Sequence, residues 1–504
     1  AKDTRLATIK KNLIARRDNL ETIARSYYQY LNNFEVVVGT EGDDHFTITR
    51  KPDGVTDISI FKDSVVFKNS YDAGQTGEIW VYGLHDNDTF KVTGEGNDLI
   101  DIKIVGGKEN DTYDFENIRK VKLYDYKSEE NIIVNPKSKK RLTDSYTINN
   151  YDYEKRNYHE NIILPSIGYD GDTGFRLGLK DRFTTYGIVN NPFHTQHTLG
   201  AEYFFATSGF AVDYSAEFAH VPYNWNLGLD LHFTSPNFTM NYFGEGNGTD
   251  YDRETVDRDY NRVRIRQWHV SPYLVRKKGG STYYLRSKFE SKKVSNDDGR
   301  FIGQAFSTDN DAFEQQSYLS AEVAYNYFNQ NDPSFPNRGM EFDLVAGYKT
   351  NIDGHNNRFG YVAPSLSLFY PLHPSGIAVL ATKIAGKTVL GDNYEFYDGA
   401  VLGGNHSLRA YRNERFNGKT AFYQSIDLRV GLTSFRTNFV PVRLGASIGF
   451  DYGRVWTEDG QADKWHNDFG GSVWISGFSA LTGNLGFYNG EDGNRLIFSL
   501  GFNF

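Results

Sequence analysis

The chain has 504 residues, 39% of them hydrophobic and 15% aromatic, with 35 Tyr, 37 Phe, 49 Gly, no Cys and a formal net charge of −9. Mean hydropathy is −0.57, and no apolar run approaches the roughly 18 residues of a spanning helix, so a helical membrane protein is excluded. The acidic balance argues against nucleic acid as a partner. A large soluble β protein and a transmembrane β-barrel survive, since only alternate residues of a barrel face lipid and its hydrophobicity is diluted. The aromatic and glycine content favours the barrel, whose interfaces carry aromatic girdles. Ala1 in place of Met, with no signal peptide, predicts a chain trimmed of its export signal.

Residues 1–34 open the chain. Leu6, Ile9, Leu13, Leu20, Ile23, Tyr27 and Leu31 recur at helical spacing and predict one amphipathic helix over Thr4–Asn32. Its Lys/Arg-rich face suits a membrane surface, but packing against a neighbouring domain is the expected use. Residues 35–135 read as a small periplasmic β domain with acidic turns: GTEGDDHF at Gly39, GLHDNDTF at Gly83, TGEGNDLI at Thr93 and GGKENDTY at Gly106. Each places an Asp two residues before an apolar side chain, as in Asp44/Phe46, Asp88/Phe90, Asp98/Ile100 and Asp111/Tyr113. This resembles the β-roll repeat in which such aspartates bind calcium between stacked rungs. The intervals of 44, 10 and 13 residues are irregular for a roll, so a metal-free solenoid with Asx turns is the default and no other cofactor is expected. Residues 136–171 read as a polar linker.

Residues 172–504 repeat one pattern: about ten alternating residues, a short turn, ten more, then a longer polar loop. Strands are predicted to begin near Thr173, Thr195, Phe210, Trp225, Asn237, Arg262, Thr282, Ser317, Gly339, Gly360, Ile377, Lys419, Val442, Gly470, Leu481 and Asn494. That makes sixteen antiparallel strands, an even number that leaves both barrel ends in the periplasm. Alternation is clean where Ile426, Leu428 and Val430 oppose Ser425, Asp427 and Arg429. A sandwich of so many hairpins would leave long uncovered edges, whereas closure removes them. Long loops at Tyr186–His194, Gly244–Asn261, Lys293–Gln315 and Gly391–Asn417 alternate with short turns, and are expected on the outer side. The last strand carries Leu496, Phe498, Leu500, Phe502 and Phe504 on one face and ends on an aromatic carboxylate, which resembles the C-terminal signature of bacterial outer-membrane proteins. The first strand offers only Phe175, Leu177 and Leu179 before Asp181 and Arg182. The seam between Phe175, Leu177 and Leu179 on one side and Phe498, Leu500, Phe502 and Phe504 on the other is therefore expected to be poorly paired.

The most informative loop is LGGNHSLRAYRNERFNG, Leu402–Gly418, between the eleventh and twelfth predicted strands. Gly403, Gly404, Ser407, Leu408, Arg409, Tyr411 and Arg412 resemble the inward-folded loop of the outer-membrane assembly-factor superfamily, which includes barrel-protein insertases and two-partner-secretion transporters. Ala410 stands where that family has Gly, so the backbone there must do without positive φ. GFDYGRVW, Gly449–Trp456, resembles the family's acid-bearing strand, and alternation alone turns Asp451 inward. The resemblance implies that Asp451 holds Arg409 inside the lumen. FPNRG, Phe335–Gly339, resembles the family's periplasmic turn.

The implied function is insertion or translocation of proteins at the bacterial outer membrane. Expected partners are outer-membrane lipid, a polypeptide client, and other outer-membrane or periplasmic subunits. The family's POTRA modules, two helices on a three-stranded sheet, are not visible. That keeps open an anchor or display role for an upstream hydrolase such as a patatin-like lipase or metallophosphatase, or an accessory role in an assembly machine. No Gly-x-Ser-x-Gly elbow or His-Glu-x-x-His occurs and the twelve His are scattered, so no enzyme is expected within these residues.

Overall fold

The computed structural model describes residues 2–155, 157–189, 192–221, 224–307, 311–332, 335–404, 407–437, 440–459, 464–477 and 481–500. The chain divides into two compact units, residues 1–158 with 186–190, and the remainder.

The N-terminal unit opens with two helical segments rather than one, α1 (Lys2–Asp18) and α2 (Leu20–Asn32). Hydrogen bonds from the Asn19 amide to Ala15 O (3.1 Å) and from the Ile23 amide to Asn19 O (3.0 Å) carry the ladder across the junction. The expected packing against the domain is not what forms: from residue 6 through residue 30 every helical residue is exposed.

A parallel solenoid follows. Phe34–Val38, Glu78–Leu84, Asp101–Gly107, Val121–Asp125 and Lys139–Leu142 stack in one parallel sheet. His45–Arg50, Thr89–Gly94, Thr112–Phe115 and Ile132–Ile133 stack in the other. Period-two alternation drives Phe46, Ile48, Phe90, Val92, Tyr113 and Phe115 into the space between the sheets. Equivalent aromatics lie rung on rung, with Phe46 and Phe90 centroids 4.5 Å apart and Phe90 and Tyr113 5.2 Å apart.

The irregular spacing of the acidic turns now has a cause. A hairpin, Val55–Phe61 with Val65–Asp72, is inserted into the first rung against His45–Arg50, which lengthens the Asp44–Asp88 interval. Asp98 does not belong with the others, because it precedes the sheet that Asp101 opens rather than the one Asp44, Asp88 and Asp111 lead into.

The second unit is a closed antiparallel barrel of sixteen strands among the described residues. Two compensating differences separate it from the predicted set. The first strand is Glu160–Asp170, inside the supposed linker, and it pairs with Gly174–Thr185 along its full length. Its Pro165 disguised it, since a proline inside a strand is tolerated mainly at an edge. Conversely, the segments predicted near Trp225 and Asn237 are one stave: Asn226–Thr234 and Thr239–Asn241 both pair with Arg262–Lys278.

The extra strand at the start also corrects a loop. Ile188 and Val189, in the connection expected outside, are buried with Phe34, Trp80, Tyr82 and Tyr124 of the N-terminal unit. In the barrel wall, Ile448 and Phe450 are exposed toward lipid while Ser447 and Asp451 are buried inward, as period-two alternation requires.

Candidate functional site

The loop between the eleventh strand (Ala378–Leu390) and the twelfth (Thr420–Arg436) is built to enter the lumen. A two-stranded ribbon, Ala400–Leu402 against Phe416–Gly418, projects its tip. Gly403 lies at φ 117°, and a Cβ there would overlap the Arg412 carbonyl, so the turn after the ribbon demands glycine. Ser407 fixes the turn by accepting from the Gly403 amide at 2.8 Å. Leu408 is buried with Ala400, Leu402, Tyr411, Phe416 and Val455, and this small apolar core holds the tip in shape. Ala410 has no positive φ, as its side chain requires.

Arg409 reaches the wall formed by the twelfth strand and the thirteenth (Pro441–Trp456). Its Nε and Nη2 donate to Asp451 Oδ2 and Oδ1 at 2.7 and 2.6 Å, a two-pronged fork, and its backbone amide donates to the same carboxylate at 3.2 Å. Nη2 also lies 2.9 Å from Asp427 Oδ1, which pairs through Oδ2 with Arg429 at 3.1 Å. The guanidinium sits 4.3 Å from the Tyr488 ring centre. Next door, Asp468 of the fourteenth strand (His466–Gly477) accepts from the Ala410 amide at 3.1 Å. Gly449 makes the approach possible: a Cβ there would lie 2.6 Å from both Arg409 Nη2 and Asp427 Oδ1.

Asp451 was legible from alternation and motif together. Asp427 and Arg429 were legible as inward residues but not as partners of the loop, and Asp468 carried no signal. A second anchor, also invisible in the sequence, lies earlier in the loop: Asp398 receives Lys349 Nζ at 2.7 and 2.9 Å and Lys292 Nζ at 3.0 Å.

A family profile for the Omp85 superfamily domain matches residues 208–504, more than half the chain and including the loop and its wall. The chain belongs to the Omp85 superfamily. Barrels of this superfamily insert or translocate proteins at the bacterial outer membrane, and this chain is such an outer-membrane barrel. Among solved structures it is similar to BamA from Haemophilus ducreyi lacking POTRA domains 1-3, at 15% identity and TM-score 0.51, covering 68% of this chain and 69% of that one. CdiB from Escherichia coli matches at 13% identity and TM-score 0.43, over 69% of this chain and 62% of that one. No curated protein sequence matches. Among the described residues no POTRA module is present, and the parallel solenoid stands ahead of the barrel instead.

In this Omp85 barrel the seam lies one strand earlier than the sequence suggested. Phe175, Leu177 and Leu179 sit on the second strand, which is paired on both sides along its length, so the expectation that they line the seam is wrong. The closing junction joins Glu160–Asp170 to the last strand, Gly493–Leu500, which carries Phe498 and Leu500; Phe502 and Phe504 lie outside the described residues. Among the described residues that junction has a single register pair, Tyr169 with Phe498.

Side chains of the loop reach both sides of this junction. Arg412 Nε donates to Asp172 Oδ1 at 2.6 Å, and the Asn413 amide to Asp172 Oδ2 at 2.9 Å, in the turn after the first strand. Arg415 Nε donates to Asp492 Oδ2 at 2.6 Å, in the turn before the last strand. Arg495 of the last strand crosses the seam to Asp170 Oδ2 at 2.9 Å and donates to Tyr411 O at 2.6 Å.

Asp44, Asp88 and Asp111 occupy one corner of the solenoid, where one oxygen each of Asp88 and Asp111 is spent on the neighbouring rung and Asp88 Oδ2 is buried without a hydrogen-bond partner among the described residues. Asp88 Oδ1 accepts from the Asp44 amide and Asp111 Oδ1 from the Asp88 amide, both at 2.8 Å. Among the described residues no cluster of three or more His, Cys, Asp or Glu side chains is arranged to hold a metal. Burial pushes Asp88 up to about 8, Asp111 to about 7 and Asp125 to about 6. Tyr113 Oη lies 3.0 Å from Asp111 and 2.6 Å from Asp125. One hydroxyl proton serves only one of them, so the arrangement favours a proton on a carboxyl.

Proposed function

We propose that this Omp85 barrel passes polypeptide between its lumen and the lipid through the junction of its first and last strands, with residues 403–415 acting as the latch on that junction. The observation that carries the reading is the set of buried side-chain bonds by which the loop reaches both sides of that junction. Among the described residues, which stop at 500, neighbouring strands elsewhere pair over most of their length while the seam shows one pair, and it is bridged by Arg412, Arg415 and Arg495. Strand edges exposed by opening would offer unpaired N–H and C=O groups to an incoming strand. The proposed source of the client is another periplasmic or outer-membrane subunit.

The chain has no native cysteine, so Tyr169→Cys with Phe498→Cys gives a clean lock. Oxidation should abolish insertion or export of client protein in cells or proteoliposomes, and reductant should restore it. Full activity with the seam locked would overturn lateral passage and leave a membrane-anchor role.

A further inference from the structure

The N-terminal helix pair carries an apolar stripe that no other described residue covers. Leu6, Ile9, Leu13, Leu20, Ile23, Tyr27 and Tyr30 alternate at spacings of three and four, with Arg16 filling the one polar place in the series. Leu6 is 62% exposed, Leu13 59%, Leu20 63%, Ile23 58% and Tyr27 61%. Only the last turn is docked: the Tyr30 ring lies 4.6 Å from that of Tyr158, whose hydroxyl donates to Leu31 O at 3.3 Å. Helices in proteins draw most of their stability from packing an apolar face, so this stripe calls for a cover.

From these residues we infer that α1 and α2 form one half of a heterotypic coiled coil, and that the other half is a helix with an apolar heptad stripe flanked by Asp and Glu. The period decides against a membrane surface. The three–four series runs unbroken from Leu6 to Tyr30, with Ile14 and Tyr28 the exposed large apolar side chains beside it, and such a series is the seam of a coiled coil, whereas an interfacial helix presents a broader face. Lying on a bilayer would also drive Arg16 toward the acyl region, while in a coiled coil one charged core position fixes register against an opposing carboxylate.

Charge selects the partner. Between residues 6 and 17 the helix carries Lys10, Lys11, Arg16 and Arg17 and no acid, with Lys10 and Arg17 beside the stripe. A second copy in parallel register would set Arg16 against Arg16 and like charges along the flanks. Arg17 does bond Asp18 at 2.8 Å, but both are largely exposed, and such a contact is readily exchanged.

The test uses the full chain in detergent micelles with a synthetic heptad peptide: Leu and Ile at the core, Glu at the flanks, and one Glu placed to face Arg16. The control peptide carries Lys at the flanks. Fluorescence anisotropy should show the acidic peptide binding at least tenfold more tightly, with hydrogen-exchange protection appearing over residues 6–30. Lys10→Glu with Arg17→Glu, at exposed positions that leave the fold alone, should reverse the preference. Equal binding of both peptides would overturn the proposal. So would protection of the helix by phosphatidylglycerol vesicles alone, or disulfide dimers of a Leu13→Cys variant of the free chain.

Discussion

Both units of this chain bury aspartates, and they satisfy them in opposite ways. In the barrel each buried acid of the loop site meets a cation or a loop amide brought from far along the chain: Asp451 meets Arg409, 42 residues away, and Asp172 meets Arg412, 240 residues away. In the solenoid Asp88 and Asp111 accept from the amides of Asp44 and Asp88 on the preceding rung, Asp44 accepts from Thr40 of its own turn, and among the described residues no cation joins them. The first arrangement makes the acids report on where a loop sits. The second makes them part of the rung geometry, set by local sequence and sensitive to protons instead of to tertiary partners. Within the barrel the acids divide again, into those on a laddered wall and those at the seam, where the described residues show one backbone pair.

The wall pair should give the largest effect. Asp451→Asn leaves Arg409 with Asp427 alone, and Arg409→Met leaves Asp451 and Asp427 facing only Arg429 and loop amides. Removing one partner of a buried pair costs on the order of 3–5 kcal/mol. Urea unfolding in detergent should shift to lower denaturant, and heat-modifiable migration on gels should occur at lower temperature. The double variant Arg409→Met with Asp451→Asn should recover part of the loss, because neither charge is then stranded. If either single variant unfolds like the parent chain, the contrast between the two kinds of buried acid fails.

At the seam the effect should be smaller and differently distributed. Arg495→Met removes the cross-seam bond to Asp170 and the bond to Tyr411 O, worth about 1.5–3 kcal/mol for charged hydrogen bonds. Because the wall pair is untouched, global unfolding should move less than in Asp451→Asn. Hydrogen exchange over residues 160–170 and 493–500 should instead accelerate, with residues 441–456 unaffected. Uniform acceleration across the barrel would mean that the seam is not a separately held region.

These contacts also mark how far the sequence could be read. The loop tip was legible because Gly403, Gly404, Ser407 and Arg409 are close neighbours doing local work, and Asp451 because alternation gives its direction. The seam was not, because the first strand interrupts its alternation at Pro165 and hides in a polar segment. Sixteen strands emerged only because splitting one stave at Ser235–Asn237 offset that omission. Asp172, Asp492 and Arg495 are ordinary turn and strand residues until folding brings the loop to them, and no spacing encodes a contact 240 residues long. In the solenoid, the inserted hairpin hid a regular Gly-to-Asp interval of five residues that recurs at Gly39/Asp44, Gly83/Asp88 and Gly106/Asp111.

The smallest effect is expected where acids lack cations. Asp88, Asp111 and Asp125 are raised in the folded state, by burial first and by neighbouring carboxylates second for Asp88. Between the unfolded value near 4 and these folded values, the folded chain holds more protons than the unfolded one. Stability from these groups is therefore fully present below about pH 4 and is lost as pH rises toward about 8, at most about 1.4 kcal/mol for each unit by which a group is raised. Hydrogen exchange in the intact chain, corrected for intrinsic rate, should show residues 89–94 and 112–115 opening more readily at pH 8 than at pH 6. Asp88→Asn keeps an acceptor for the Asp44 amide and cannot ionise, so its rungs should lose much of that dependence. It should also be more protected than the parent chain at pH 8 while differing little at pH 5. A solenoid whose protection rises from pH 6 to 8 would mean that these carboxyls are held charged by a partner, and would favour a bound cation at Asp44, Asp88 and Asp111 over the proton.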